Sequence, residues 1–119
     1  MVGESPYAEG RGDSATLALN VRDIDLLSNL RQRCTKLAVI LISGRPLIIT
    51  DQLAEMDGLV AAWLPGTEGE GVADVLFGDK PFTGKLPYTW PRSVDQLPFD
   101  FSTLKESDVL FPFGFGLSD

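Results

Sequence analysis

Apolar positions along the chain gather into two unbroken runs and two helical stripes, separated by short polar, glycine- and proline-rich stretches. Lys36–Ile42 (KLAVILI) is continuous and rich in β-branched residues, the pattern of a strand covered on both faces, as in a parallel sheet. Gly58–Trp63 (GLVAAW) is a second buried run, stopped by Pro65-Gly66. Leu26, Leu27, Leu30 and Cys34 follow at helical spacing, which predicts a helix capped by Asp23 or Asp25, with Cys34 as a buried, inert thiol. Asp51–Met56 predicts a short helix. Thr67 and Glu70 have the spacing of a capping box and introduce a helix from about 68 to 77, with Val72, Val75 and Leu76 inward and Gly78 closing it. Met1-Val2-Gly3-Glu4 reads as the end of a strand. Leu86–Trp90 predicts a strand at the sheet edge, where its prolines are tolerated. Residues 91–108 read as loop, and Leu110–Leu117 as a last extended segment.

Alternation of strand and helix patterns predicts a layered α/β architecture with a mostly parallel sheet. Such sheets place ligands at the carboxyl ends of their strands. The loops after Gly3, Ile42 and Trp63 are therefore the places to look for chemistry. A chain of 119 residues is about one domain and is long enough for a real core. Its charge of −7 argues against a nucleic-acid surface or an anionic membrane patch, both of which need a basic face. Histidine is absent, which excludes histidine-dependent triads and histidine pH switches. With a single cysteine besides, the sequence lacks the usual nitrogen and sulfur ligands of a protein zinc site. The runs Leu37–Ile42 and Leu59–Leu64 fall far short of the ~20 residues of a membrane span. No basic segment followed by an apolar one marks a signal peptide.

The loop after Gly3 holds the most polar chemistry: Glu4, Glu9 and Asp13, with Tyr7 and Arg11. A partly buried carboxyl with a raised pKa serves as a general acid, and glycosidic bonds need two carboxyls. Spacing alone does not separate such a site from a solvated acidic loop. Gly66-Thr67-Glu68-Gly69-Glu70-Gly71 precedes a helix but lacks the Lys-Ser/Thr of a P-loop and does not match the dinucleotide fingerprint. Its two glutamates would repel phosphate, and close helix–sheet packing explains its glycines. Arg11-Gly12-Asp13 matches an adhesion tripeptide, a coincidence common at three residues. Ser43 has no nucleophile elbow. Trp63, inside an apolar run, reads as core. Trp90, among Pro87, Tyr88 and Pro91, is more open to a surface, sugar-stacking role, as is Tyr7.

Several blocks stand in a telling order: Gly3-Glu4-Ser5-Pro6-Tyr7-Ala8-Glu9 with Gly12-Asp13; Ile42-Ser43-Gly44-Arg45-Pro46; Ala61-Ala62-Trp63-Leu64-Pro65-Gly66-Thr67-Glu68-Gly69; Gly71 to Asp79; Phe82-Thr83-Gly84-Lys85-Leu86-Pro87; Ser93 to Pro98; and Phe111-Pro112-Phe113-Gly114-Phe115-Gly116-Leu117. Together they resemble the C-terminal domain of glycoside hydrolase family 3, over nearly the whole chain. The nearest likeness is to two-domain β-glucosidases and exo-β-glucanases. The resemblance implies an α/β sandwich built on a six-stranded sheet, leaning over an N-terminal (β/α)8 barrel that carries the nucleophilic Asp. It implies a retaining hydrolase of terminal β-D-glucosyl residues, with no cofactor; the alternative reading is a non-catalytic carbohydrate-binding or interaction module. Glu9 would be the acid/base and Glu4 the competing candidate. Asp13 would help hold the loop, and Trp63, the Ser43–Pro46 turn and the glycine-rich turn would pack. The barrel, and the first part of the sandwich, would lie outside this sequence, leaving an open sheet edge for self-association and an isolated chain without activity. Relatives of this kind are often secreted or periplasmic.

Overall fold

The computed structural model describes residues 1–7 and 10–117. Three strands form one parallel sheet in the order β1 (Val2–Gly3), β2 (Ala38–Ile42), β3 (Gly58–Trp63). Helix α1 (Val21–Arg31) joins β1 to β2, the short α2 (Thr50–Leu53) lies between β2 and β3, and α3 (Gly69–Leu76) follows β3. The α/β class and parallel pairing agree with the sequence pattern. Both apolar runs become strands, with β2 starting two residues later than the run.

Position in the sheet decides burial. In β2, the central strand, Val39 and Leu41 are fully buried. Strand β3 is an edge strand and stays half-buried along its whole length, so its apolar run overstated its cover. The core joins Val39 and Leu41 to Leu27 of α1, to Leu37, Leu47 and Ile49 on either side of β2, and to Trp90.

Helix α1 keeps its predicted place but not its predicted ends. Its cap is Asn20, whose Oδ1 accepts the Asp23 N–H at 2.9 Å. Asp23 is thus a first-turn residue, and Asp25 has no capping role. The Asp23 carboxylate accepts instead from the Gly3 N–H at 2.9 Å, and the Asn20 amide donates to the Gly3 carbonyl. The outer edge of β1 at Gly3, expected to be open, is therefore occupied by the cap and first-turn side chains of α1. Ile24 and Leu30 pack against the core beside Leu27, while Leu26 is exposed. The helix ends at Arg31, so Cys34 falls beyond it and is exposed, not buried as its spacing suggested.

Helix α3 begins at Gly69 with no side-chain cap; the Thr67 hydroxyl bonds Glu68 and no capping box forms with Glu70. Val72 and Val75 are half-buried, Leu76 is exposed, and Gly78 closes the helix with φ +86° and a bond from its N–H to Val75 O.

The largest departure is Leu86–Trp90. It does not join the sheet. It pairs with the terminal segment through Leu86 N–H to Phe115 O, Trp90 N–H to Phe111 O and Leu110 N–H to Trp90 O, with an antiparallel bridge Trp90–Phe111. The Trp90 indole is 1% exposed and donates to Leu47 O at 2.8 Å, which corrects the surface role inferred from its polar surroundings. This one side chain ties the C-terminal hairpin to the segment after β2. Removing it as W90A costs about 3–5 kcal/mol, and W90F, which strands the buried Leu47 carbonyl, about 1–3 kcal/mol. Urea unfolding followed by circular dichroism should rank wild type above W90F above W90A.

Asp57 fastens the start of β3 to α1. Its carboxylate accepts from Arg31 at 2.8 Å, Lys36 at 3.1 Å and the Leu37 N–H at 2.8 Å. The Leu37 bond first, then Lys36 and Arg31, hold its pKa below the ordinary 3.8. A depressed acid stabilises the fold above its unfolded pKa and loses that contribution as pH falls through the lower folded value. D57N should therefore lower the melting temperature at pH 7, and its deficit should shrink on acidification below about 3.8.

Candidate active site at the strand ends

Parallel strands bring their carboxyl ends, and the loops leaving them, to one side of the sheet. Here β1 is extended by a Glu4 N–H to Ile42 O bond of 2.9 Å, and β2 by Ser43 N–H to Trp63 O at 3.1 Å. Glu4, Ser43 and Trp63 thus stand side by side. At Gly3 the approach is so close that a Cβ would collide with the Ile42 carbonyl, so only glycine lets β1 reach β2 there.

The end of β3 is irregular. Leu41 pairs with Ala61 but Ile42 pairs with Trp63, so Ala62 is an extra residue. Trp63 follows in the left-handed region at φ +54°, a conformation costing about 1–3 kcal/mol for a bulky residue. Its ring lies 5.8 Å from Trp90 and 5.9 Å, edge-on, from the exposed Tyr88. The packing role expected of Trp63 holds, while the backbone strain had no sequence signal.

Arg45 is the centre of the polar cluster. It leaves a tight turn in which the buried Ser43 hydroxyl donates to the Arg45 carbonyl at 2.7 Å. Its guanidinium donates to Glu4 Oε1 from Nη2 at 2.6 Å and from Nε at 3.2 Å, and to the Gly12 carbonyl from Nη1 at 2.5 Å. Its Cζ lies 4.6 Å over the Tyr7 ring. The bond from Glu4 raises the Arg45 pKa further, against the opposing effect of burial, and the charge of Asp13 adds to it. Asp13 therefore favours the Arg45 cation, and its N–H bonds Gly10 O.

Glu4 commits Oε1 to Arg45, and Oε2 is buried without a regular hydrogen bond among the described residues. The Tyr7 phenol also feels the Glu4 carboxylate. The phenol is held above its ordinary value of 10.0, first by desolvation, then by the hydrogen bond and charge of Glu4, with Arg45 and the Gly44 backbone pulling the other way. The Tyr7 hydroxyl also lies against Gly44, where a Cβ would come within 2.7 Å of it. Tyr7 is thus held against Glu4, Arg45 and Gly44, with the guanidinium over one face of its ring, while 39% of the residue stays exposed.

Of the two carboxyls proposed for acid/base work, Glu4 is drawn into the fold, its side chain 16% exposed. Glu9 lies outside the described residues. Arg45 was missed as a site residue. Its only signal was a cation in a turn at a strand end, facing a loop of acids. Two shallow depressions flank the cluster. One, of about 210 Å³, is mostly apolar and lined by Arg45, Pro46, Tyr88 and Pro91 among others. The other, of about 270 Å³, lies along Val2, Glu4, Ser5, Asp23 and Ile42. Among the described residues, no helix is long and apolar enough to cross a membrane.

The family model described as the glycosyl hydrolase family 3 C-terminal domain matches residues 1–119. A periplasmic beta-glucosidase of Salmonella typhimurium is 34% identical over 99% of this chain and 18% of its own length. A beta-xylosidase of Formosa agariphila is 33% identical, again over 99% of this chain and 18% of its own. The crystal structure of an exo-1,3/1,4-beta-glucanase from a Pseudoalteromonas species superposes with a TM-score of 0.86 at 41% identity, covering 98% of this chain and 15% of that one. A beta-glucosidase from Listeria innocua superposes at 0.83 and 25% identity, covering 98% and 19%. The chain spans less than a fifth of each of these relatives.

The cluster makes the Tyr7 phenol a reporter of Glu4. In a Y88F background, absorbance titration at 295 nm should find Tyr7 ionising above 10.0, and E4Q should bring that midpoint down.

Proposed function

Because the chain belongs to the glycosyl hydrolase family 3 C-terminal domain family, we propose that it is the acid/base-bearing domain of a retaining, exo-acting β-glucosidase-like hydrolase. Residues 1–119 form one α/β sandwich unit in this reading, and the barrel with the nucleophilic carboxylate belongs to a part of the enzyme outside this sequence. The substrate class is a β-linked glucoside or oligosaccharide. Beta-glucosidases, a beta-glucanase and a beta-xylosidase stand among the relatives, in keeping with a sugar choice made by barrel residues. A relative named periplasmic supports an exported enzyme.

One observation carries the choice between the two carboxyls: Glu4 is committed to Arg45 inside the fold. Its Oε1 holds Arg45, and its Oε2 is buried. Glu9 occupies the glutamate position of the Pro-Tyr-Ala-Glu stretch and is assigned the chemistry on that ground. Protonated Glu9 gives its proton to the glycosidic oxygen as the C1–O bond breaks and the bonding pair leaves with the departing alcohol. The barrel carboxylate takes C1 from the opposite face, forming the glycosyl-enzyme. The Glu9 carboxylate then removes a proton from water, whose oxygen attacks C1 and frees the nucleophile. The free sugar is released, the acid and the nucleophile are both regenerated, and one water is consumed.

The isolated chain, lacking a nucleophile, should release no nitrophenol from an aryl β-glucoside. Activity is read in a chimera carrying this chain in place of the matching segment of the Pseudoalteromonas enzyme. There E9A should lower kcat/KM by about 10²–10⁴-fold on alkyl glucosides, which need the proton, and much less on dinitrophenyl glucoside. Azide should rescue E9A by forming the glycosyl azide. Rescue of E4A, with E9A near wild type, would transfer the role to Glu4. Turnover by the chain alone would overturn the two-part reading.

A further inference from the structure

We infer that Arg45 is a positioning residue for the acid/base carboxylate, acting by clamping both flanks of the loop that carries it. The inference rests on the assignment of Glu9 above. Four observations support it. Arg45 bonds Glu4, where the loop leaves β1, and the Gly12 carbonyl, where the loop passes beyond Glu9. Between them it lies over the Tyr7 ring. The clamp is itself fixed: Ser43, buried at the end of β2, bonds Trp63 O through its N–H and Arg45 O through its hydroxyl. The loop would be loose without it, because Gly10 and Gly12 are permissive, and among the described residues its backbone bonds are few.

The physical need is plain. A proton donor helps only when held near the oxygen it protonates, and a misplacement of about 1 Å costs on the order of 10²-fold. Fixing a loop whose ends are tied to one rigid group removes most of that freedom. Arginine suits the task where lysine does not. A planar guanidinium sends separate N–H groups to Glu4 and Gly12 while its face rests on an aromatic ring. A lysine ammonium keeps the charge but cannot hold all three at once.

Two measurements test this. In the full chain, trypsin cleaves after the exposed Arg11 when the loop opens. R45K should accelerate that cleavage by about tenfold or more without a matching loss of melting temperature, since local opening is independent of global unfolding. S43A, which loosens the turn but keeps the guanidinium, should show a smaller rise. An unchanged cleavage rate in R45K overturns the clamp. In the chimera, R45K should lower kcat/KM on alkyl glucosides by about 10–10²-fold while sparing dinitrophenyl glucoside. In an E9A background R45K should add no further loss. An equal fall on both substrates, or full additivity with E9A, overturns the positioning role and leaves a brace of the fold. If E9A itself lacks leaving-group dependence, the acid/base assignment fails, and the trypsin result still decides the clamp.

Discussion

The parallel register of three short strands is the constraint from which the rest of this molecule follows. Two bonds, Glu4 N–H to Ile42 O and Ser43 N–H to Trp63 O, continue that register past the sheet. They set the origins of the loops after β1, β2 and β3 side by side, and the Arg45 guanidinium on the second loop reaches the first. Only Gly3 permits the first of these approaches, because any side chain there would meet the Ile42 carbonyl. The extra residue Ala62 and the left-handed Trp63 adjust the second. Shifted by one residue, Arg45 would no longer face Glu4.

Around this crest the core is built from unequal parts. Leu27, Val39, Leu41, Leu47 and Ile49 form an ordinary apolar centre. Trp90 adds what aliphatic side chains cannot, an indole N–H that satisfies Leu47 O while its ring spans Trp63 and Phe111. The C-terminal hairpin thereby supports the strand-end side of the sheet indirectly, through Trp63 and the turn that presents Arg45. Stability and site geometry share residues, so a core change at Trp90 would be felt at the site.

Half-buried charge within the cluster has a compensating logic. An arginine at the end of a central strand is costly to desolvate unless paired. Glu4 supplies the counter-charge, the Gly12 carbonyl and the Tyr7 ring occupy other parts of the guanidinium, and Asp13 contributes from a distance. Glu4 Oε2 remains without a regular bond among the described residues. Such an arrangement favours one geometry over many, which suits a loop that must present a group accurately.

The sequence by itself determined the class and the family. Apolar runs at Lys36–Ile42 and Gly58–Trp63 wrote the strands, because burying a strand leaves little choice but branched apolar residues. Ordered blocks wrote the family. What it left open were matters of partnership. Cys34 followed a helical stripe, but Asn20 set the start of α1 and the helix stopped at Arg31, so the thiol emerged in solvent. Trp90 sat among prolines and a tyrosine yet became the largest fully buried side chain among the described residues, because its pairing partner lies about twenty residues on at Phe111. Glu4 and Arg45 were each visible, but only folding brought residues 41 positions apart to 2.6 Å. Periodicity reports whether a residue is covered. Which residue covers it is decided by contacts distant in sequence, and those exist only once the chain has closed on itself.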